Sequence, residues 1–402
     1  MRAVSDNCFV CENCISSCPV NAININGASP FEVKAFIDEE KCIHCGRCEA
    51  VCPALNIDSM PFLNSTEAYG FVSRHEEAQK STSGGAFFEL AKRILLQGGC
   101  VAGAAWSQDW LVTTQIVSDV KDLEKLQGSK YVKCYNRNAF PEIKQIVKSG
   151  RKFLFGGTPC QIAALYQYLG NNLKKSDNLL TVDLVCHGCP PGKLFQDYIV
   201  FSEEKHRYRI VDFRFRAKRY GSKLVGKIKW QRGKRLHEQY LYAKESSYFK
   251  LFLDSETYLE NCYSCPFARN ERIADLTISD FWGWKQECYQ KLLKKGVTDD
   301  DPVSAVLIHT EKGKQLFEQI KNDAVVLSVA PECVIKHNPN LSSPSKYGRG
   351  REEMKKMYAA KRYAGIEEFY HARNGLKRYS TRIECMMPNS IKRAIKKYVL
   401  HI

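Results

Sequence analysis

No apolar run in the sequence approaches the ~18 residues needed to cross a bilayer, so no transmembrane helix is expected. The first residues carry no signal-peptide core, which argues against secretion. Acidic residues are scarce relative to basic ones: 44 Asp and Glu face 60 Lys and Arg, a formal charge of +16. No nucleic-acid recognition motif accompanies that excess, so nucleic acid is not expected as a partner. Acidic electron carriers, anionic substrates or a membrane surface suit the charge better. Apolar residues, at 44%, are frequent enough to exclude a disordered chain.

Cysteine is anything but scarce. Eight of the 18 cysteines fall in the first 52 residues, in two copies of one pattern. The first copy is Cys8-x2-Cys11-x2-Cys14-x3-Cys18-Pro19 and the second Cys42-x2-Cys45-x2-Cys48-x3-Cys52-Pro53. In bacterial ferredoxins this run gives three cysteines to one [4Fe–4S] cluster and the fourth to the other. One cluster is therefore assigned to Cys8, Cys11, Cys14 and Cys52, the other to Cys18, Cys42, Cys45 and Cys48. Two-residue spacings throughout fit a cubane better than a disulfide framework. So many thiols in cluster spacing indicate a reducing, cytoplasmic setting. Each cluster with four thiolates carries about −2 when oxidised, which offsets part of the basic excess.

A ferredoxin module over 1–58 and a linker over 59–69 leave more than 330 residues for further domains. Helical spacing is read over 85–97, 119–126, 140–148 and 161–169. Strand-like runs lie at 100–106, 111–117, 152–155 and 179–185, and this alternation predicts an α/β region. Between 208 and 242 the period changes to two, with Val211, Phe213, Phe215, Val225, Ile228 and Trp230 expected inward on a β-meander with a cationic outer face. The segment 336–402 reads as a basic helical tail. Its last residues, 391–402, set Lys392, Arg393, Lys396 and Lys397 opposite an apolar stripe, as in a helix lying on an anionic membrane or packing on its own protein.

The downstream cysteines form a second constellation. Thr158 is a good helix N-cap and Pro159 a good first residue, which puts Cys160 in the first turn, where the helix dipole favours a thiolate. No orienting base for a nucleophile is identifiable beside it. Cys186 and Cys189 follow a second buried strand, and Cys262-x2-Cys265 is a compact pair. Five cysteines thus compete for the four places of one further cluster, with structural zinc or ordinary buried thiols as the alternative.

Residues 70 to about 320 resemble the family of beta subunits of coenzyme F420 hydrogenases and dehydrogenases. The resemblance rests on Ser81-Thr-Ser-Gly-Gly-Ala86, Gly128-Ser-Lys-Tyr131, Gly157-Thr-Pro-Cys-Gln161, Cys186-His-Gly188, Cys262-Tyr-Ser-Cys-Pro-Phe-Ala268 and Asp275-Leu-Thr-Ile-Ser-Asp-Phe-Trp-Gly283. Ser279 stands where the family commonly has glycine. The resemblance implies an α+β and α/β multidomain chain: a bacterial-type ferredoxin fold, then a mixed α/β flavin- and cluster-binding domain (70–150 and 151–335) with a β-rich insertion. It implies one FAD and a third [4Fe–4S] cluster, with Cys160, Cys186, Cys262 and Cys265 as ligands and Cys189 left out.

Cofactor contacts are expected from Ser83, Gly84, Gly85, Gly128, Ser129, Lys130, Tyr131, Gly157 and Thr158. Glycines opening a helix let backbone N–H groups approach a diphosphate. Lys130 is the candidate to stabilise charge on reduced flavin, Tyr131 could cover the ring, and His187 is a candidate proton donor or a support for a cluster ligand. A chain with both cofactor types converts two-electron into one-electron chemistry. The expected function is hydride exchange between FAD and an organic substrate or coenzyme F420, with ferredoxin or another redox protein as electron partner. Two alternatives stay open: a ferredoxin-driven reductase of another metabolite, for example one linked to polysaccharide synthesis, and a non-catalytic electron-transfer subunit.

Overall fold

A computed structural model describes residues 2–136, 138–218 and 224–387. The expected amphipathic segment 391–402 lies outside the described residues.

The N-terminal module is built as two related halves. Lys34–Ile37 pairs antiparallel with Ile23–Asn26 on one side and Arg2–Ala3 on the other. Two short helices, Asn13–Ser17 and Arg47–Ala50, carry Cys14 and Cys48. Each is entered through a left-handed residue, Glu12 (φ 67°) or Gly46 (φ 69°), and two positions earlier Val10 and His44 both have φ 51°. Equivalent positions of the two cysteine runs thus share one backbone path. A β-branched Val adopts that conformation only where its surroundings force it.

Behind the module stands a nine-stranded mixed sheet. Its order is Ala324–Val329, Glu67–Ser73, Ser304–Ile308, Leu276–Asp280, Leu179–Leu184, Phe153–Gly157, Cys100–Trp106, Val112–Val117, Cys134–Tyr135. The four strands from Leu276–Asp280 to Cys100–Trp106 run parallel, and the remaining pairs are antiparallel except the last. Their continuous apolar runs follow from burial on both faces. Phe153, Leu154 and Phe155 are fully buried, as are Leu179 and Val182.

Most expected elements are present with shifted ends. The helix read over 85–97 is Ala86–Leu96, and that over 140–148 is Ala139–Lys148. The segment 119–126 winds as a tighter 3-10 helix, Val120–Leu126, with the Asp119 carboxylate accepting from the Lys121 N–H. Pro159–Lys174 begins with a capping box between Thr158 and Gln161 and is broken at Gly170, whose φ and ψ are 79° and 176°.

Three expectations need correction. Residues 59–69 are no free linker: Met60 is buried, Leu63 exchanges both backbone hydrogen bonds with Arg272 (2.7 and 2.8 Å), and the Thr66 N–H donates to Ile308. The described part of 336–402, up to Met387, is no tail either. Its residues up to Tyr347 belong with the large sheet, whereas Asp197–Glu256 and the described residues from Gly348 to Met387 form a separate compact unit. In that unit the expected meander is present as Arg209–Arg214, Val225–Arg232 and Arg235–Tyr242. The helix Arg351–Asn374 buries Met354, Tyr358, Tyr363, Ile366, Phe369 and Tyr370, and Arg373 pairs with the buried Glu256 carboxylate at 2.7 Å. Third, Val211 points outward, because the register shifts between Ile210 and Asp212 and puts Ile210 inside instead.

Candidate iron–sulfur centres and their surroundings

Backbone geometry in the N-terminal module gathers the eight cysteines into two groups. One cavity is lined by Cys8, Cys11, Cys14 and Cys52, another by Cys18, Cys42, Cys45 and Cys48. The fourth cysteine of each run has crossed to the other cavity, as the ferredoxin pattern requires. The two settings differ. Cys11, Cys14 and Cys52 are buried, whereas Cys45 is exposed and the exposed Ile43 and Val20 rim its cavity. We call the first the inner and the second the outer site. Burial pushes the Cys14 thiol up to about 12 and Cys11 well above its usual value. A bare thiolate is costly there, and an iron centre supplies the positive charge that offsets the cost. Backbone N–H groups of Val10, Ala22 and His44 donate to the sulfurs of Cys8, Cys18 and Cys42 at 3.4, 3.2 and 3.4 Å.

The third cavity lies at the C-terminal ends of two adjacent parallel strands, where ligands settle in open α/β sheets. Cys160 follows Phe153–Gly157 and Cys186 follows Leu179–Leu184. Cys189, Cys262 and Cys265 complete a lining of five cysteines around about 600 Å³ of open space. The Thr158 hydroxyl is 3.2 Å from the Cys160 sulfur. Gly188, at φ 130°, holds the loop between Cys186 and Cys189 against the Tyr258 ring; a Cβ there would sit 2.3 Å from a ring carbon. Burial drives the Cys186 thiol well up and Cys265 to about 11. Cys189 goes the other way, to about 7, because the Cys262 thiol donates to it and the Lys133 ammonium faces it. Five thiols with soft sulfur donors in one cavity fit a thiolate-held cluster.

Two buried cations face this cavity, and the sequence motifs had singled out neither. Lys133 and Arg272 both line it, at 3% and 2% exposure. Arg272 pairs with the fully buried Asp183 at 3.0 Å, while its Nε has no hydrogen-bond partner among the described residues. The Thr277 hydroxyl links Asp183 (2.5 Å) to His309 Nε2 (2.9 Å), which makes a continuous polar chain behind the cysteines. Lys133 lies two residues past the Gly128–Tyr131 motif; its position beside Cys134 was the available signal.

The two loops expected at a flavin are brought together. The Ser129 N–H donates to Thr82 Oγ1 at 2.7 Å, and the Gln127 side chain donates to the Ser81 hydroxyl at 3.0 Å. Ser83 Oγ donates to the Val303 carbonyl, and Gly84 lies so close to the Phe71 carbonyl that a Cβ would be 2.1 Å from it. Gly84 is therefore required by the chain's own packing. The N-terminus of Ala86–Leu96, entered through Gly85 in a left-handed conformation, has no side-chain cap, and such an end suits an anionic group. Lys130 donates to the carbonyls of Gln127 and Gly128 at 2.9 and 3.1 Å. His187, Thr158 and the cysteines share the third cavity, while Gly157 closes the strand beneath it. Burial lowers the His187 pKa, and the Asn340 side chain hydrogen-bonds the ring. Its place among the cysteines suits support of a ligand.

Residues 7–56 match the 4Fe-4S dicluster domain. With the cysteine cavities above, this marks the N-terminal module as a 4Fe-4S cluster-binding one. Residues 150–332 match the C terminus of the beta subunit of coenzyme F420 hydrogenase/dehydrogenase. It is 24% identical over 197 residues to an F(420)H(2) dehydrogenase subunit of Methanosarcina mazei, covering 45% of this chain and 53% of that one. It is 41% identical over 59 residues to an ion-translocating oxidoreductase complex subunit of Methanosarcina acetivorans, covering 14% and 20%. The chain thus spans about half or less of the curated relatives it matches. A chain of the F420-reducing [NiFe] hydrogenase complex of Methanosarcina barkeri aligns over 78% of this chain and 94% of its own, with 16% identity and a TM-score of 0.44. Among the described residues no helix is long and apolar enough to cross a membrane.

Proposed function

We propose that this chain is an iron–sulfur flavoprotein in which hydride exchange between FAD and an organic substrate or coenzyme F420 is coupled to one-electron transfer through three [4Fe–4S] clusters. The observation that carries the reading is the adjacency of two cysteine cavities. Phe9, between Cys8 and Cys11, lines both the inner ferredoxin cavity and the cavity of Cys160, Cys186, Cys262 and Cys265. Electrons then run between the third cavity, the inner site and the outer site. The outer site, with its exposed Cys45 and apolar rim, is where ferredoxin or another redox protein docks.

FAD supplies the conversion between two-electron and one-electron chemistry. The uncapped start of Ala86–Leu96 and the Gly128–Tyr131 loop would hold it, with Lys130 offering positive charge and Tyr131 an aromatic surface. His187 holds a cysteine loop in place. A cytoplasmic setting, with the basic C-terminal residues touching an anionic membrane, belongs to the same reading.

The test is anaerobic purification and reconstitution with iron, sulfide and flavin quantified, then titration of the isolated chain with reduced coenzyme F420. The expected result is about twelve irons and one FAD per chain, from three four-iron clusters, and stoichiometric flavin reduction. Flavin reduced only by ferredoxin or dithionite would turn the reading to a ferredoxin-driven reductase. Absence of flavin would leave a non-catalytic electron-transfer subunit.

A further inference from the structure

Lys133 is an unusual buried charge. Its side chain is 3% exposed, and its Nζ donates to the Phe9 carbonyl at 2.8 Å, inside the ferredoxin loop that carries Cys8 and Cys11. Its backbone N–H donates to the Pro190 carbonyl, also at 2.8 Å, next to Cys189. The same side chain lines the cavity of the third cysteine group. The charged groups facing it are cysteines from both sites: Cys160 and Cys189 on one side, Cys11 on the other, with Cys134 beside it. None of the ion pairs among the described residues includes Lys133. A buried ammonium without a carboxylate is expensive, and anionic clusters on either side would supply the missing counter-charge.

From this placement we propose that Lys133 is a positioning and potential-setting residue shared by two clusters, raising the reduction potentials of the inner ferredoxin cluster and of the third cluster together while tying their loops into one wire. An electron arriving at either cluster adds a negative charge close to the ammonium, which favours the reduced state. A single cation between the two sites acts on both and leaves the outer cluster, held by Cys18, Cys42, Cys45 and Cys48, outside its reach. The inference rests on the third cluster of the reading above.

The test uses the full chain, purified anaerobically, with iron quantified and each cluster's midpoint read by EPR-monitored redox titration. Lys133→Met should retain the iron of the parent protein. At fixed potential the reduced-to-oxidised ratio of both adjacent clusters should fall about tenfold, or about 59 mV for a one-electron couple. The outer cluster should stay where it was, and Lys133→Arg, which keeps the charge, should keep all three midpoints. Lys133→Gln leaves a donor for the Phe9 carbonyl and carries the same expectation if the Met variant does not fold. Twelve irons with unmoved midpoints, a shift of only one of the two adjacent clusters, or an equal shift of all three would overturn the bridge alone. Eight irons in the parent protein would overturn the third cluster and the bridge with it.

Discussion

The side-chain amide of Asn13 donates to the Ala164 carbonyl at 2.7 Å, across 151 residues of sequence, and to the Val51 carbonyl at 3.1 Å. Asn13 sits between Cys11 and Cys14, is 1% exposed, and so fastens the inner ferredoxin loop to the helix that starts at Pro159. Glu12 adds a second tie by accepting from the Asn136 N–H at 3.0 Å, and Phe9 and Cys11 are packed into the apolar cluster that contains Phe153, Ile162 and Phe267. The ferredoxin module is docked onto the large-sheet domain rather than tethered to it.

Asn13→Ala should loosen that docking. The substitution strips a donor from the buried Ala164 carbonyl and from the half-buried Val51 carbonyl, and an unmet buried group costs about 1–3 kcal/mol. Anaerobic denaturation followed by the cluster absorbance should then show the N-terminal module opening at lower denaturant than the rest of the chain, where the parent loses both together. A single unshifted transition would mean that the apolar contact of Phe9 and Cys11 suffices.

His309 makes a pH-dependent contribution. Burial, with Arg272 nearby, pushes its pKa down to about 4 from the usual 6.5, so the folded protein binds it neutral, bonded through Nε2 to the Thr277 hydroxyl at 2.9 Å. The unfolded chain takes up a proton below pH 6.5 and the folded chain does not until near pH 4. Stability is therefore present in full above 6.5 and is lost as pH falls towards 4. Between pH 7.5 and 5.5 the loss from this group is about 1 kcal/mol. His309→Gln should flatten that part of the profile, measured as the denaturation midpoint at the two pH values; an unchanged slope would assign the dependence to other groups.

Much of this was legible in the sequence because it depends on local pattern. The buried parallel strands Phe153–Gly157 and Leu179–Leu184 declare themselves as unbroken apolar runs, and Thr158-Pro159 marks the start of the following helix. The eight N-terminal cysteines group by spacing alone, since the two runs fold as copies with matching left-handed residues at Val10 and His44. Contacts distant in sequence were not legible. Residues 59–69 read as a linker because they follow the ferredoxin module and contain Pro61, yet Leu63 is held by Arg272, some two hundred positions away. The helix Arg351–Asn374 read as a basic tail because its surface is charged; its buried Tyr358, Tyr363 and Tyr370 bond to Asp197, Ser247 and Lys244, all more than a hundred positions earlier. Lys133 was hidden for a related reason: one lysine among many becomes distinctive only when burial and the Phe9 carbonyl are seen.

The five cysteines of the third cavity are separable by substitution. Family resemblance selects Cys160, Cys186, Cys262 and Cys265, and the geometry adds Cys189, which lines the same space and accepts from the Cys262 thiol. Replacing any one of the first four by serine should drop the iron content from about twelve to about eight per chain, while the signals of the two ferredoxin clusters persist. Cys189→Ser should keep about twelve irons and alter only the environment of the third cluster, read as a change in its EPR signal. The reverse result, with Cys189→Ser losing four irons and Cys186→Ser keeping them, would exchange the two. Their shared loop makes that exchange the physically nearest alternative, since Gly188 pressed on Tyr258 leaves both thiols facing one cavity.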